Sequence, residues 1–207
     1  IWKRGVDLVK FDPARRDESL RENIRGKDSA KLIIGYVGRL ANEKRIDDLA
    51  ILDRQPDIQL VIVGGGPAEA RLKRELPNAR FVGYQSGTEL GRYVASFDIF
   101  VHTGKHETFC QAIQEALAAG VPVIGPDTGG PVDLIEHGIT GLLIDTADSY
   151  ALLEAVSTLR SHSAFDLMQI AARRSVEHRT WDYINAQLID YYRQTIAHVS
   201  RKGELVA

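Results

Sequence analysis

Short apolar runs closed by glycine recur through the middle of the chain, separated by charged stretches with helical spacing. Leu32-Ile33-Ile34-Gly35-Tyr36-Val37-Gly38 is the first, and Leu60-Val61-Ile62-Val63 before Gly64-Gly65-Gly66-Pro67 is the second. Runs this short, with no polar alternation, predict strands buried on both faces. Arg80-Phe81-Val82, Ile99-Phe100-Val101, Pro122-Val123-Ile124-Gly125 and Gly141-Leu142-Leu143-Ile144 continue the series. Between them the pattern predicts helices over about 44–53, 68–76, 88–95 and 109–119, the last ended by Gly120. Alternation at this spacing implies βαβ units with right-handed crossovers. The expected fold class is therefore α/β, a Rossmann-like doubly wound parallel sheet over 31–180. Residues 1–30 are charged and weakly patterned, a linker leading into the domain, with Arg15-Arg16-Asp17-Glu18 and 25–29 as helix surface and loop. Helices dominate from Ser149. Trp181, Ile184, Leu188, Tyr191, Tyr192 and Val199 share one stripe of a long last helix over 181–207, with Trp181 expected in the core.

Composition narrows the partners rather than the fold. With 26 Lys and Arg against 28 Asp and Glu in 207 residues, the net charge is -2, and no basic surface offers itself to nucleic acid. The single cysteine, Cys110, excludes an internal disulfide framework and fits a reducing compartment. No apolar run nears the roughly 20 residues that span a bilayer, and no stretch reads as a secretory signal, so a cytoplasmic setting is expected. The only methionine is Met168 and the chain opens on Ile1, which fits processing of a tag or short prosequence as well as excision of one domain from a larger protein, and the motifs below favour excision.

In an open parallel sheet, ligands bind where strands end and loops enter helices. Four such loops carry candidate chemistry: 38–44, 64–67, 102–107 and 127–131. Gly38 lets backbone approach a ligand, and Arg39 and Lys44 would offer a diphosphate a guanidinium fork and an ammonium without a metal. Taken alone, a carbonyl-capping Arg39 and a solvated Lys44 are the plainer reading. Gly64-Gly65-Gly66-Pro67 lacks the third glycine of the dinucleotide fingerprint, since Glu69 stands there, which counts against a nicotinamide-dependent oxidoreductase. It reads as a tight strand-to-helix turn whose Gly65 and Gly66 backbone could meet a ligand.

Glu107-Thr108-Phe109-Cys110-Gln111-Ala112-Ile113-Gln114-Glu115 is the strongest local signal. The amino end of its helix, at Phe109, Cys110 and Gln111, offers free N–H groups and a positive dipole to a phosphate. Glu107 and Glu115 could each accept hydrogen bonds from a diol, on a sugar and on a ribose. A helix-start carboxylate and a surface glutamate explain the same spacing. Cys110 has no His–Asp arrangement beside it, and His102 and His106 lack a third ligand type, so no metal site is expected. Gly129-Gly130-Pro131 reads as N–H groups presented to an acceptor or as a plain left-handed turn.

Taken together, in order, Gly38-Arg39-Leu40-x-x-Glu43-Lys44, Gly64-Gly65-Gly66-Pro67, Glu107-x7-Glu115 and Gly129-Gly130 resemble the carboxyl-terminal domain of the GT-B glycosyltransferases of retaining family 4. Gly5-Val6-Asp7 with Phe11-x-Pro13 is similar to the segment by which such chains lead into that domain, so the resemblance covers essentially the whole sequence. Val101-His102-Thr103-Gly104 running into Glu107-Thr108-Phe109-Cys110-Gln111 is similar to bacterial GDP-mannose-dependent α-mannosyltransferases that build phosphoinositide or glycolipid mannosides. Many family members have Gly where this chain has Cys110, and loop 83–86 leaves GDP and UDP both open. The resemblance implies one half of a GT-B fold, its amino-terminal acceptor domain absent and its last helix crossing back toward that domain. It implies a nucleotide-sugar donor, GDP-mannose first, with no metal and no other cofactor. Arg39 and Lys44 would stabilise the diphosphate leaving group with the amides of Phe109, Cys110 and Gln111. Glu107 would orient the hexose and Glu115 the ribose, with Gly38, Gly65 and Gly66 against the donor. The acceptor would be lipid-linked or a glycan, met at the inner membrane face through the absent domain. The alternatives are a UDP-sugar-dependent transferase and a non-catalytic nucleotide-sugar-binding module; intact Arg39, Lys44, Glu107 and Glu115 count against the second.

Overall fold

The computed structural model describes residues 4–204 except 27, 29, 162 and 164, with side chains described to residue 199. The loop expected at 25–29 thus falls, at Lys27 and Ser29, outside the described residues, as do the extreme ends of the segments expected at 1–30 and 181–207. In chain order the elements are α1 (Glu18–Arg25), β1 (Leu32–Val37), α2 (Ala50–Asp53), β2 (Ile58–Val63), α3 (Glu69–Glu75), β3 (Arg80–Gly83) and α4 (Gly87–Ala95). Then follow β4 (Ile99–Val101), α5 (Gln111–Ala118), β5 (Val123–Pro126), β6 (Gly141–Ile144), α6 (Ser149–Ser161), α7 (Phe165–Val176) and α8 (Trp181–Glu204). The strands form one sheet in the order β3-β2-β1-β4-β5-β6, and every neighbouring pair is parallel. This is the Rossmann-like sheet expected, with its topological switch between β1 and β4.

Successive strand residues face opposite sides, so each apolar run feeds two cores. Ile33, Val61, Val63 and Phe100 pack on one side with Phe97, Ile113 and Leu117. Ile34, Leu60, Ile62, Ile99 and Val101 pack on the other with Leu49, Leu72 and Leu152. Full burial of such a side chain contributes about 1.5–3 kcal/mol, which is why the strands need no polar face. Gly35 breaks the run in β1 because a Cβ there would lie 2.1 Å from the Phe97 ring.

Residues before β1 are tied to the sheet more firmly than their charge suggests. Asp17 caps α1 by accepting from the Leu20 amide at 2.9 Å, and Leu20, Arg21 and Ile24 are buried. Asp98, just before β4, receives Arg21 at 2.8 Å, Arg16 at 3.0 Å and the Ile33 amide at 2.8 Å. A buried guanidinium is tolerable only with such a partner.

Two helical expectations need correction. Residues 44–53 form a 3-10 turn (Asn42–Lys44), a second (Ile46–Leu49) and then the single α turn α2. Arg45 between the two turns is left-handed at φ 52 and ψ 39, which breaks the helical path, and Asp48 holds its guanidinium at 2.7 and 3.0 Å. Trp181 is 42% exposed, not core. Its backbone packs on the lead-in segment, where a Cβ on Gly5 would lie 2.6 Å from the Trp181 Cα. On α8 only Ile184 of the stripe is buried, while Tyr191, Tyr192 and Val199 are exposed. A stripe of helical period buries only where another layer meets it.

Candidate functional site

The carboxyl ends of β1 and β2 are joined loop to loop. The Gly38 amide donates to Val63 O at 3.0 Å, the Leu40 amide to Gly65 O at 3.0 Å, and the Ala68 amide to Leu40 O at 3.0 Å. Gly64, at φ 140, would place a Cβ 1.9 Å from Gly38 O. Gly66 would place one 2.4 Å from Leu40 O. These glycines are therefore required by the approach of the two loops themselves. Beside them opens a cavity of about 400 Å³, bordered by Gly38, Arg39, Gly65, Lys10, Tyr84 and Gln85 among others. Sequence reasoning missed Lys10, although it adjoins the Phe11-x-Pro13 lead-in; its ammonium lies 4.8 Å over the Phe11 ring. Tyr84 is 79% exposed and presents an aromatic face at the cavity.

The two expected phosphate-binding cations are placed differently. Arg39 pairs with Glu43, and both side chains are at least half exposed. Such a pair contributes about 0–1 kcal/mol, so an arriving anion exchanges for it at little cost. Lys44 instead pairs with Glu107, and both are largely buried. Thr103 fixes this corner by donating to Lys44 O at 2.7 Å, and Thr146 donates to Thr103 O at 3.2 Å. His102 Nε2 lies 3.3 Å from Glu107 Oε1, and its ring stacks on Tyr36 with centroids 6.1 Å apart. The His102 imidazole and then Lys44 outweigh burial and hold the Glu107 carboxyl at about 2. Glu107 is a carboxylate throughout the physiological range.

Helix α5 starts at Gln111, two residues later than expected, with Cys110 as its N-cap. Among the described residues the amides of Cys110 and Gln111 have no protein acceptor, so the helix start does leave donors free. The Gly130 amide does not add to them. Gly129 is left-handed at φ 69, and the Gly130 amide is taken by Glu107 O at 2.7 Å, so this pair secures the Glu107 loop. Burial leaves Cys110 4% exposed and pushes its thiol up to about 12, which removes it as a nucleophile at neutral pH. Glu115 is half-buried rather than on the surface. Burial pushes its carboxyl up to about 7, with Lys10 and Gln111 opposing. The Gln111 and Gln114 side chains donate to Gly5 O and Arg4 O, each at 3.1 Å, locking the lead-in segment onto α5. Among the described residues no three His, Cys, Asp or Glu side chains converge as a metal site requires.

The family of glycosyl transferases group 1 matches residues 17–174. A GDP-mannose-dependent alpha-mannosyltransferase of Corynebacterium glutamicum is 47% identical over 197 residues, covering 95% of this chain and 48% of its own. Its namesake in Mycolicibacterium smegmatis is 46% identical over 204 residues, covering 98% and 53%. The chain spans about half the length of the curated relatives it matches. Among solved structures, sucrose-phosphate synthase from Thermosynechococcus elongatus aligns over 95% of this chain and 52% of its own, at 25% identity and a TM-score of 0.82. The Anabaena HepE protein in complex with UDP aligns over 92% and 56%, at 21% identity and a TM-score of 0.79, which shows the shared fold. The parallel sheet with its switch point and the match over most of the sequence give one answer: this chain belongs to the glycosyl transferases group 1 family, of the GT-B type.

Proposed function

We propose that this chain is the donor-binding half of a retaining mannosyltransferase that takes mannose from GDP-mannose. The observation that carries the reading is the cavity bordered by Gly38, Arg39, Gly65 and Tyr84, together with the Lys44–Glu107 pair and the free amides at the start of α5 on the loops after β1 and β4 at the same strand ends. The GDP-mannose dependence named for the relatives favours guanine over uracil as the base. In this reading the nucleoside enters the cavity beside Tyr84, and the diphosphate lies between Arg39, Lys44 and the Cys110 and Gln111 amides. Positive groups fixed where negative charge grows stabilise the GDP leaving group as the glycosidic bond breaks. No metal is needed for that charge, since two cations and a helix amino end supply it. Glu107, ionised and held, accepts from the mannose hydroxyls, and Glu115 from the ribose. The acceptor, lipid-linked or a glycan, is met on an amino-terminal domain. The exposed Tyr191, Tyr192 and Val199 on α8 suit packing against that domain.

Calorimetric titration with GDP, UDP and GDP-mannose, with and without EDTA, tests the reading. We expect GDP to bind more tightly than UDP and EDTA to change neither. A strict divalent-metal requirement, or no nucleotide binding, would overturn it. Transfer should be absent from residues 1–207 alone. Holding the acceptor hydroxyl at the anomeric carbon is worth roughly 7–11 kcal/mol of barrier, and one wall of a cleft cannot supply it.

A further inference from the structure

Among the described residues, Lys44 and His102 are the neighbours able to hold the Glu107 carboxylate, and both address the same oxygen, Oε1. Under the donor-binding reading, on which this inference rests, a diphosphate competes with Glu107 for the Lys44 ammonium. Once Lys44 turns to phosphate, a carboxylate only 17% exposed is left needing a donor. We infer that His102 is a positioning residue: as the diphosphate draws Lys44 away, its imidazole takes over Oε1 of Glu107 and keeps the carboxylate aimed at the hexose.

The surroundings of His102 suit that task and no other evident one. The ring is 3% exposed and lies within 7° of parallel to Tyr36, itself fully buried, so it cannot swing out to solvent. Neither ring nitrogen makes a hydrogen bond among the described residues, although buried polar atoms nearly always do. Nε2 stands 3.3 Å from Oε1, a few tenths of an ångström beyond a good hydrogen bond, while Lys44 holds that oxygen. Gly104 keeps the gap clear: a Cβ there would lie 3.1 Å from Nε2 and 3.4 Å from Oε1. Imidazole and carboxylate thus meet over bare backbone, with room to close.

The test compares His102→Phe, which keeps a flat ring against Tyr36 but removes Nε2, with His102→Gln, which restores a polar atom. Gly104→Ala serves as a second probe that parts the pair without altering the imidazole. Calorimetry of the 207-residue chain measures GDP-mannose and GDP side by side. His102→Phe should weaken GDP-mannose about tenfold, the scale of a charge-assisted hydrogen bond, and GDP less than twofold. Gly104→Ala should lose part of the same preference, and His102→Gln should keep most of it. Equal weakening of both ligands, or an unchanged preference, would overturn the inference. Carbon-detected titration of the Glu107 carboxyl reads the contact without any ligand. If wild-type protein binds no nucleotide, the functional reading falls, and the carboxyl still decides in a Lys44→Met background, where the oxygen is free for His102 to take over: adding His102→Phe should raise its titration, and an unmoved titration would refute His102 as its holder.

Discussion

Replacing Glu115 by Gln should reverse part of the protein's stability profile against pH. Burial raises the Glu115 carboxyl from an ordinary 4.5 to about 7. The native state therefore keeps its proton where the unfolded chain has already released it. Below about pH 4.5 both states are protonated and the group adds no slope. Between about 4.5 and 7 the native state binds more protons, so stability falls as pH rises, and above that the loss is complete. At about 1.36 kcal/mol for each pH unit, the interval amounts to about 3 kcal/mol. Glu115→Gln removes the titration, so its stability relative to wild type should grow by about 3 kcal/mol from pH 4 to pH 8. Urea unfolding of both proteins at several pH values measures this, with equal m-values as the condition for comparison. A difference that stays flat across the range would refute the assignment of a burial-raised carboxyl. A ligand should couple to the same proton. If ribose hydroxyls donate to Glu115, GDP binding near pH 7 favours the carboxylate and releases a proton. The heat then varies with the ionisation enthalpy of the buffer, and Glu115→Gln abolishes that variation.

Arg39→Ala and Lys44→Ala should each weaken GDP by roughly 1.5–3 kcal/mol and leave guanosine nearly untouched in parallel titrations. Equal loss for both ligands would make the two residues structural. Asp98→Ala strands the buried Arg21 guanidinium, which among the described residues retains the Ser96 carbonyl at 2.5 Å and the exposed Glu18 at 3.3 Å. It should cost about 3 kcal/mol in denaturant unfolding, the low end for a broken buried pair. The Cys110 thiol, 4% exposed and raised to about 12, should resist a thiol-specific chromogenic reagent in the native protein and react fully once unfolded.

What the sequence made legible was whatever rests on burial of both faces of a strand. Six apolar runs became six parallel strands because no other element hides so many consecutive branched side chains. The broken helix after β1 was hidden because Arg45 adopts a left-handed backbone that its residue type does not announce. Helix α5 begins late because the N-cap residue Cys110 keeps an extended backbone, and with no side-chain cap bond and no Ser, Thr, Asp or Asn there, nothing in the sequence marks the start. Arg21 reads as surface in any helical wheel, and its burial rests on the Asp98 carboxylate and the Ser96 carbonyl, 77 and 75 positions on. The site divides the same way. Motif spacing brought out Arg39, Lys44, Glu107 and Glu115, but not the Lys44–Glu107 pair, 63 positions apart, nor Lys10 and His102 beside the two glutamates.

In the proposed function, the loops after β1 and β2 and the start of α5 hold the donor. A titration of isotope-labelled chain with GDP-mannose, followed by amide NMR shifts, tests it most directly. Shifts are expected at Gly38, Arg39, Gly65, Gly66, Cys110 and Gln111, with the largest at the two α5 amides that have no acceptor among the described residues. Another cavity, lined by Pro13, Gly120, Ile170 and Arg174, serves as the internal control. Shifts confined to those residues, with the β1, β2 and α5 loops unmoved at saturation, would place the donor elsewhere.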